Sequence, residues 1–411
     1  MSTAEVRGAA AAAGRAIDAD NHYYEVDDCF SRHIEARFAD RALRPVPGKE
    51  PARKWMLGDR PVSFMPFNAY DQTAAPGALE KFFTGEEGKQ SLAPADYIRP
   101  HEHPAMVERS ARLRLLDDQG LDAIIQLPTV GMLVEPDFAD QPDVLMANYR
   151  AFNRWVEEDW GYGTGSPATG GGRIFGVPIV SMVDIDAGVT ELERVAGLGA
   201  RFVLLPIGPV GGERSPADPH FDRFWAAVQD TGLIPIYHVG NSGFAKLFSV
   251  HWSEEPDVPL MKYSAFQQYT CVVERPISDT LAALVLHNLF GRFPGIKVMS
   301  IENGSSWVPA LLKGMDKGAR MAQAMGRWLG GRLPAPPSDV FREHVYVVPF
   351  HEDDITGLVD LLGADRVVFG SDWPHAEGLG TPLDFARKLG GLADPARERI
   401  MRANVAELVG L

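Results

Sequence analysis

The 411-residue chain lacks the features that would tie it to a membrane, a nucleic acid or an oxidising compartment. It has two cysteines, Cys29 and Cys271, which suits a reducing cytoplasm better than a disulfide-stabilised fold. No stretch approaches the roughly 18 apolar residues that a membrane-spanning helix needs. Lysine and arginine form no cluster and the formal net charge is −15, which argues against a nucleic-acid surface. We therefore predict a cytoplasmic protein with no nucleic-acid and no membrane partner.

The N-terminal stretch, residues 1–15, contains an alanine run but no leucine-rich segment of the kind that signal peptides carry. We predict that it is a disordered tail. The remaining length admits either two or three domains or one α/β barrel with insertions. We predict the second arrangement, a single domain over residues 16–411.

Eight short apolar runs predict buried parallel strands, because their hydrophobic residues are continuous where those of a half-exposed strand would alternate. Helical patterns separate most of these runs, which is typical of βαβ units. Eight parallel strands close a barrel, so we predict the α/β class and a (β/α)8 TIM barrel. The runs are 16–20, 123–127, 175–180, 202–205, 234–237, 298–301, 345–348 and 367–370.

Two long connections leave the barrel after the first and fifth runs. The first, about residues 23–105, contains six prolines between positions 45 and 76, so we predict an irregular cap. The second, about residues 240–276, is rich in aromatic side chains. Both insertions start at the carboxyl ends of strands, so both are expected to cover the site and to set substrate specificity.

Two polar side chains close the first run. Asp20 and His22 are two residues apart, so their side chains point to the same side of a strand. A carboxylate oxygen and an imidazole nitrogen placed in this way can bind one cation. The tripeptide alone is weak evidence, because His22 could equally end the strand with its ring bonded to the backbone.

Two further runs are followed by potential ligands. His238 follows the fifth run, and a buried imidazole needs partners for both nitrogens, which a metal ion and a second acceptor would supply. A core histidine would fit there too. Glu302 follows the sixth run, and a carboxylate after so apolar a strand must be paired, metal-bound or neutralised. An ion pair with Arg292 or Arg320 is the alternative for Glu302.

Asp372 follows the eighth run, between Gly370, which permits a tight turn, and Pro374, which fixes the exit of the chain. An aspartate beside a metal-bound water can accept its proton as a general base. It could instead cap the next helix. Potential ligands after four different strands are hard to explain by coincidence, because the carboxyl ends of barrel strands meet in one place. The predicted metal ligands are Asp20, His22, His238, Glu302 and Asp372.

Six stretches of the chain, 17–22, 116–122, 149–155, 238–240, 292–298 and 370–375, occur in the order found in a known family. With them the chain resembles the amidohydrolase superfamily, in particular the amidohydrolase-2 branch of aminocarboxymuconate-semialdehyde and resorcylate-type decarboxylases. The resemblance extends from about residue 16 to the C-terminus. It implies a (β/α)8 barrel with a divalent metal, commonly zinc or manganese, bound by the first-strand pair, the fifth-strand histidine and the last-strand aspartate.

Carried over to this chain, the resemblance matches Asp20 and His22 to the first-strand pair, His238 to the fifth strand and Asp372 to the eighth. The sixth strand departs from the family, because Glu302 stands where relatives usually carry histidine. A carboxylate in place of an imidazole favours manganese or iron more than a histidine-rich site does. The predicted cofactor is therefore a divalent metal ion, zinc, manganese or iron.

The number of metal ions is a separate question. No lysine ends the fourth run, so the carbamylated-lysine bridge of dinuclear hydrolases has no obvious donor and one metal ion is the simpler expectation. A second metal position formed by Glu302, His351 and Glu352 is the alternative. The candidate catalytic residues are Asp372, Glu302 and His351, and the candidate substrate-binding residues are Asn303, Glu352 and His375.

The resemblance favours non-oxidative decarboxylation of a small carboxylate or carbonyl substrate, with hydrolysis of an amide or lactone almost level. Asp372 would deliver a proton to carbon in the first reaction and deprotonate water in the second. A carboxylate-rich iron or manganese site would also suit an oxygenase, and a non-catalytic partner subunit is a third hypothesis. The resemblance further implies a homo-oligomer, with a hetero-oligomer containing a related barrel subunit as the alternative.

Overall fold

A computed structural model describes residues 15–47, 53–85 and 92–411 of the chain. Residues 1–14 of the predicted tail lie outside this range, so that prediction stays a prediction. Within the described residues, seven strands are parallel and buried in a ring. They are β1 (Ala16–His22), β2 (Leu121–Leu127), β3 (Ile174–Gly176), β4 (Phe202–Leu204), β5 (Ile234–His238), β6 (Val298–Ile301) and β7 (Val345–Val347).

Hydrogen bonds between backbones close the ring. The ladders run in the order β1–β2–β3 and β4–β5–β6–β7, and the amide of Leu204 bonds to the carbonyl of Pro178 (2.8 Å) to join the two groups. Segment 367–370 occupies the eighth position. Val368 N donates to Val347 O and Ala19 N donates to Phe369 O, both at 3.0 Å. The predicted (β/α)8 barrel is confirmed.

Two strand ends differ from the prediction for local reasons. The third strand is regular only over Ile174–Gly176, because Pro178 has no amide hydrogen to donate to a ladder. The first strand continues to His22, since Asn21 and His22 pair in register with Gln126 and Leu127. The predicted ligand pair therefore lies within the rigid strand.

Helices surround the barrel, and their apolar sides pack against the strands. The longest helix, Pro142–Asp159, begins with proline at its first position, where no amide bond is lost. Helix Arg109–Gln119 follows a 3₁₀ turn at Pro104–Met106. The other described α-helices of at least eight residues are Ile185–Gly197, Asp222–Thr231, Arg275–Leu286, Val308–Ala322, Pro337–His344 and Ile355–Leu362. Shorter α-helices are Glu80–Phe83, Glu135–Phe138, Phe244–Leu247, Ala265–Gln268, Leu289–Arg292, Asp394–Glu398 and Asn404–Val409.

The first insertion is more regular than predicted. It forms a three-stranded antiparallel sheet of Leu43–Val46, Lys54–Leu57 and Arg60–Pro61, and Thr73–Ala74 pairs with Tyr97–Ile98. Pro45 and Pro61 are compatible with this sheet because they lie in its two outer strands and not in the central one. No helix among the described residues is long and apolar enough to cross a lipid bilayer.

Candidate metal centre

Five of the predicted residues converge at the carboxyl end of the barrel. Asp20 and His22 end β1, His238 ends β5 and Glu302 follows β6. Asp372 is held beside β1 by its amide, which donates to the carbonyl of Asp20 at 2.8 Å. Strand geometry therefore brings residues 350 positions apart in sequence to one place, the end at which barrel enzymes carry their active sites.

The polar atoms of these residues lie close to one another. His22 Nε2 is 3.2 Å from Asp20 Oδ1 and 3.2 Å from His238 Nε2. His238 Nε2 is 3.0 Å from Glu302 Oε2, and Asp372 Oδ1 is 3.6 Å from His22 Nε2. The side chains are buried, with at most 11% of any of them exposed. Asp20, His22, His238 and Glu302 form one group that could hold a metal ion, and His22, Glu302, Asp372 and His375 form an overlapping one.

The two imidazoles are oriented as metal ligands. His22 Nδ1 is 3.0 Å from the carbonyl of Pro128, and His238 Nδ1 is 2.8 Å from the carbonyl of Val239. A carbonyl only accepts, so each Nδ1 carries a hydrogen and the Nε2 of each ring faces the cluster. Two Nε2 lone pairs facing each other at 3.2 Å would repel, so a cation must lie between them, either a metal ion or a proton on His238.

A buried carboxylate oxygen supports the same conclusion. Asp372 Oδ2 is buried and accepts no hydrogen bond from any described residue, although buried polar atoms in folded proteins are nearly always paired. A divalent ion would satisfy this oxygen and the two imidazole nitrogens together. The residues present therefore fit a divalent metal ion, and the chemistry of the donor set agrees with the predicted cofactor.

The electrostatics of the cluster favour a positive charge at its centre. Burial would lower the pKa of His238, but the carboxylates of Glu302 and Asp20 raise it well above its ordinary value. Burial, and then the charges of Glu302 and Asp20, raise the pKa of Asp372 well above its usual range. Burial lowers the pKa of His22 to about 3, which keeps the imidazole in the neutral form that binds metals.

Two acidic residues of the cluster, Glu302 after β6 and Asp372 after segment 367–370, adopt an unusual backbone conformation. Glu302 has φ +53° and Asp372 has φ +57°, both in the left-handed region. Each such residue costs about 1–3 kcal/mol and persists only where the surroundings enforce it. At Glu302, the next side chain provides part of that enforcement, because Asn303 Nδ2 donates to the carbonyls of Tyr237 (3.0 Å) and Ile301 (2.8 Å).

The alternatives for two acids are not realised. Arg292 Nε bonds to Asp222 Oδ1 at 3.0 Å, so this arginine is paired away from Glu302. Asp372 precedes turns and bends and caps no helix, and its Oδ1 contacts a histidine ring. Both carboxylates are therefore available to a metal ion in the cluster.

His375 forms a hydrogen-bonded chain with Asp372. Its Nδ1 is 2.6 Å from Asp372 Oδ1 and its Nε2 is 3.1 Å from Thr129 Oγ1. The Thr129 hydroxyl donates to the carbonyl of Tyr23 at 2.7 Å, so it must accept from His375 Nε2. One further proton shared between His375 Nδ1 and Asp372 Oδ1 completes the short contact. The ring of His375 also lies 4.2 Å from that of His22.

His351 and Glu352 are in the loop after β7, apart from the cluster. His351 Nδ1 is 3.3 Å from Glu352 Oε2, and among the described residues neither belongs to a group that could hold a metal ion. Burial lowers the pKa of His351 to about 4 and raises that of Glu352 to about 7. The second metal position predicted from Glu302, His351 and Glu352 is therefore not assembled. Contacts of His351, Glu352 and Asn303 with a substrate stay predictions.

Two buried residues that the sequence analysis missed support β1. Asp18 accepts from the amide and hydroxyl of Ser371 at 2.9 and 2.6 Å, which fastens β1 to the segment that carries Asp372. Arg112 contacts Asn21 Oδ1 and donates to the carbonyl of His22 at 2.7 Å. The two-residue spacing of Asp18, Asp20 and His22 was a usable signal, whereas the sequence around Arg112 carries none.

A small cleft with room for about one water molecule lies against His238. Its walls are mostly apolar, and Asn241 supplies the polar side chain besides His238. The other lining residues are Met132, Ile179, Leu204, Leu205, Pro206, Ile207 and Gly240. This space adjoins a predicted metal ligand but is too small for the body of a substrate.

A closed (β/α)8 barrel with buried histidines and carboxylates at its carboxyl end defines a metal-dependent barrel enzyme. The chain belongs to the amidohydrolase family Amidohydro_2, because the model of that family matches residues 17–411. The resemblance to the amidohydrolase-2 branch is thereby confirmed.

Three similar proteins illustrate the family. A gamma-resorcylate decarboxylase of Rhizobium sp. (strain MTP-10005) is 24% identical over 352 residues, which are 81% of this chain and 98% of that protein. The structure of an amidohydrolase from Mycobacterium avium subsp. paratuberculosis K-10 is 34% identical with a TM-score of 0.85, covering 97% and 99% of the two chains. A dihydroxybenzoic acid decarboxylase from Polaromonas sp. JS666, solved with manganese and the inhibitor 2-nitroresorcinol, shares the fold at 18% identity and a TM-score of 0.54, covering 82% and 95%.

Proposed function

We propose that this protein is a manganese-dependent lyase that removes carbon dioxide from a small aromatic carboxylic acid. The observation that carries the proposal is the Asp372–His375 contact of 2.6 Å beside two facing imidazole nitrogens. This arrangement combines a possible cation site with a proton donor, and decarboxylation by this route uses both. The resorcylate and dihydroxybenzoic acid decarboxylases described above support this reaction class and substrate class.

Asp20, His22, His238, Glu302 and Asp372 would hold the metal ion. When bound, a divalent ion would supply a Lewis acid that polarises the oxygen atoms of the substrate. Three carboxylates and two imidazoles form a hard donor set, which suits manganese better than zinc. The manganese in the Polaromonas enzyme supports the same choice.

The protein residues would handle the proton. When the bond to the carboxylate carbon breaks, carbon dioxide leaves and the electron pair stays on the ring carbon. That carbon then takes the proton shared by His375 Nδ1 and Asp372 Oδ1. Thr129 holds His375 Nε2, so the imidazole keeps its orientation while the proton moves.

The test is product analysis in deuterated water. We expect the manganese-loaded protein to convert a mono- or dihydroxybenzoate into the phenol, with deuterium at the carbon that carried the carboxylate. Asp372→Asn, which removes the carboxylate but keeps the shape, should abolish this product. An intact panel of hydroxybenzoates after long incubation with manganese-loaded protein would contradict the proposal.

Hydrolysis of an amide or lactone is the second candidate, because the 34% identical relative is described as an amidohydrolase. In that reaction Asp372 Oδ2, which is free of hydrogen bonds from described residues, would take the proton of the attacking water. Amide and lactone hydrolysis assayed on the same preparation separates the two reactions. The relatives described above give the oxygenase alternative no support.

The remaining assignments are proposals of the same kind. We propose that the protein is a cytoplasmic homo-oligomer. It would act on a small molecule without a second kind of subunit. Light scattering of the purified chain tests the assembly. An active homogeneous preparation would also exclude the hypothesis of a non-catalytic partner subunit.

A further inference from the structure

Glu25 is a buried carboxylate three residues after His22 that has no part in the proposed reaction. Its Oε1 accepts from three consecutive amides, those of Thr129, Val130 and Gly131, at 3.0, 2.7 and 2.9 Å. Its side chain is buried, and Oε2 has no hydrogen-bond partner among the described residues. Three amides that converge on one carboxylate oxygen hold the turn after β2 in place.

This turn carries two groups that touch the metal centre. The carbonyl of Pro128 accepts from His22 Nδ1 at 3.0 Å, and this contact selects the tautomer in which Nε2 is free to bind a cation. The hydroxyl of Thr129 accepts from His375 Nε2 at 3.1 Å. A change in the position of the turn would therefore disturb both imidazoles.

The turn is supported from outside as well. A Cβ atom at Gly131 would lie 2.8 Å from Ile179 and 3.0 Å from Phe152, so the glycine packs directly against the core. The turn is thus held between the core and the Glu25 carboxylate. Removing the carboxylate leaves three buried amides without an acceptor, which favours rearrangement of the turn.

We propose that Glu25 is a positioning residue of the metal centre, which fixes turn 128–131 and through it the His22 tautomer and the His375 ring. The metal-binding part of this inference depends only on the cluster, and the part concerning His375 rests on the proposed function. Glu25 does not touch the metal site itself, so its effect must pass through the turn.

The experiment is a titration of the metal-free full-length protein with Mn²⁺, followed by electron paramagnetic resonance. Glu25→Ala should weaken Mn²⁺ binding by about 10–100-fold, the range measured for partners that orient metal-ligating histidines. Glu25→Gln keeps an acceptor oxygen without the charge, so its loss should be smaller than that of Glu25→Ala. The matched control is Glu135→Gln, which alters another buried carboxylate of the following helix and should bind Mn²⁺ like the wild type.

Thr129→Val separates the two proposed effects of Glu25, the one on His22 and the one on His375. This variant loses the contact with His375 but keeps the Pro128 carbonyl, so it should bind Mn²⁺ normally while turnover and its pH profile change. Wild-type Mn²⁺ affinity in both Glu25 variants would overturn the inference, as would a wild-type protein that binds no Mn²⁺. If Glu25→Ala does not fold, Glu25→Gln decides. A wild type that binds Mn²⁺ but converts no hydroxybenzoate would count against the proposed function and would not affect the inference that Glu25 supports metal binding.

Discussion

His22 Nε2 and His238 Nε2 face each other at 3.2 Å, although the residues come from opposite sides of the barrel. Each ring donates its Nδ1 hydrogen to a backbone carbonyl, so both Nε2 atoms point at the same place. We predict that His22→Ala weakens Mn²⁺ binding by at least about 100-fold, since even indirect partners of such ligands change affinity by about 10–100-fold. Calorimetric titration of the metal-free protein measures this change.

The matched control for that variant is His351→Ala. His351 is also a buried histidine in a loop at the carboxyl end of the barrel, but its Nδ1 contacts Glu352. We expect His351→Ala to bind Mn²⁺ as the wild type does. Equal loss of affinity in the two variants would show that the effect is general destabilisation and would contradict the assignment of the ligands.

The pH dependence of stability tests the buried carboxylate of Glu135. Burial raises its pKa from 4.5 to about 8 in the folded protein. Between these values the folded state binds a proton that the unfolded state has lost, so stability is full below pH 4.5 and falls as the pH rises towards 8. The slope for one such group is about 1.4 kcal/mol per pH unit. Glu135→Gln should remove this part of the slope and stabilise the protein at pH 8.

Denaturant unfolding of the metal-free protein between pH 5 and pH 8 provides the measurement. The metal-free form is needed because metal binding has a pH dependence of its own. A Glu135→Gln variant whose stability changes with pH as steeply as that of the wild type would show that the carboxyl is not protonated in the fold. Glu193→Gln, on the exposed side of helix Ile185–Gly197, is the control and should leave the slope unchanged.

Much of the fold follows from the sequence because strands buried on both sides are continuously apolar. The eight apolar runs therefore identify the barrel strands. The residue at which the hydrogen bonding of a strand ends depends on single side chains, and hydrophobicity does not reveal it. Pro178 ends the β3 ladder early because it lacks a donor. In the cap, prolines at positions 45 and 61 predict irregular chain, yet pairing across the central strand Lys54–Leu57 makes a sheet around them.

Part of the candidate site could likewise be predicted from the sequence, and part of it could not. The convergence of polar side chains from the strand ends could be predicted, because the topology of a parallel barrel brings all carboxyl ends together. The same rule wrongly grouped His351 with Glu302, since a strand end fixes a neighbourhood and not a contact. Glu25 and Arg112 could not be found, because their roles depend on contacts with backbone groups about 90 to 105 residues away in the chain.

Glu302 is predicted to set metal preference. The family resemblance matches this strand end to one where histidine is usual, and exchanging a carboxylate for an imidazole softens the donor set. Glu302→His should shift the ratio of Zn²⁺ to Mn²⁺ affinity towards zinc by roughly tenfold. Histidine tolerates the left-handed backbone found here, φ +53°, better than most residues do. Competition titrations with both ions give the ratio, and an unchanged ratio would mean that Glu302 is not a ligand.

His375 is predicted to act on the proton and not on the metal. Its Nδ1 is committed to Asp372 and its Nε2 to Thr129, so neither nitrogen is available to a cation, although His375 is a member of one group of potential ligands. His375→Gln should lower turnover by about 10²–10⁴-fold, the usual contribution of a positioned acid–base group, with Mn²⁺ affinity close to that of the wild type. Steady-state kinetics and Mn²⁺ titration on one preparation measure both. A large loss of Mn²⁺ affinity would instead make His375 a ligand, and unchanged turnover would remove it from the proton path, because the short contact with Asp372 would then serve only to orient that carboxylate.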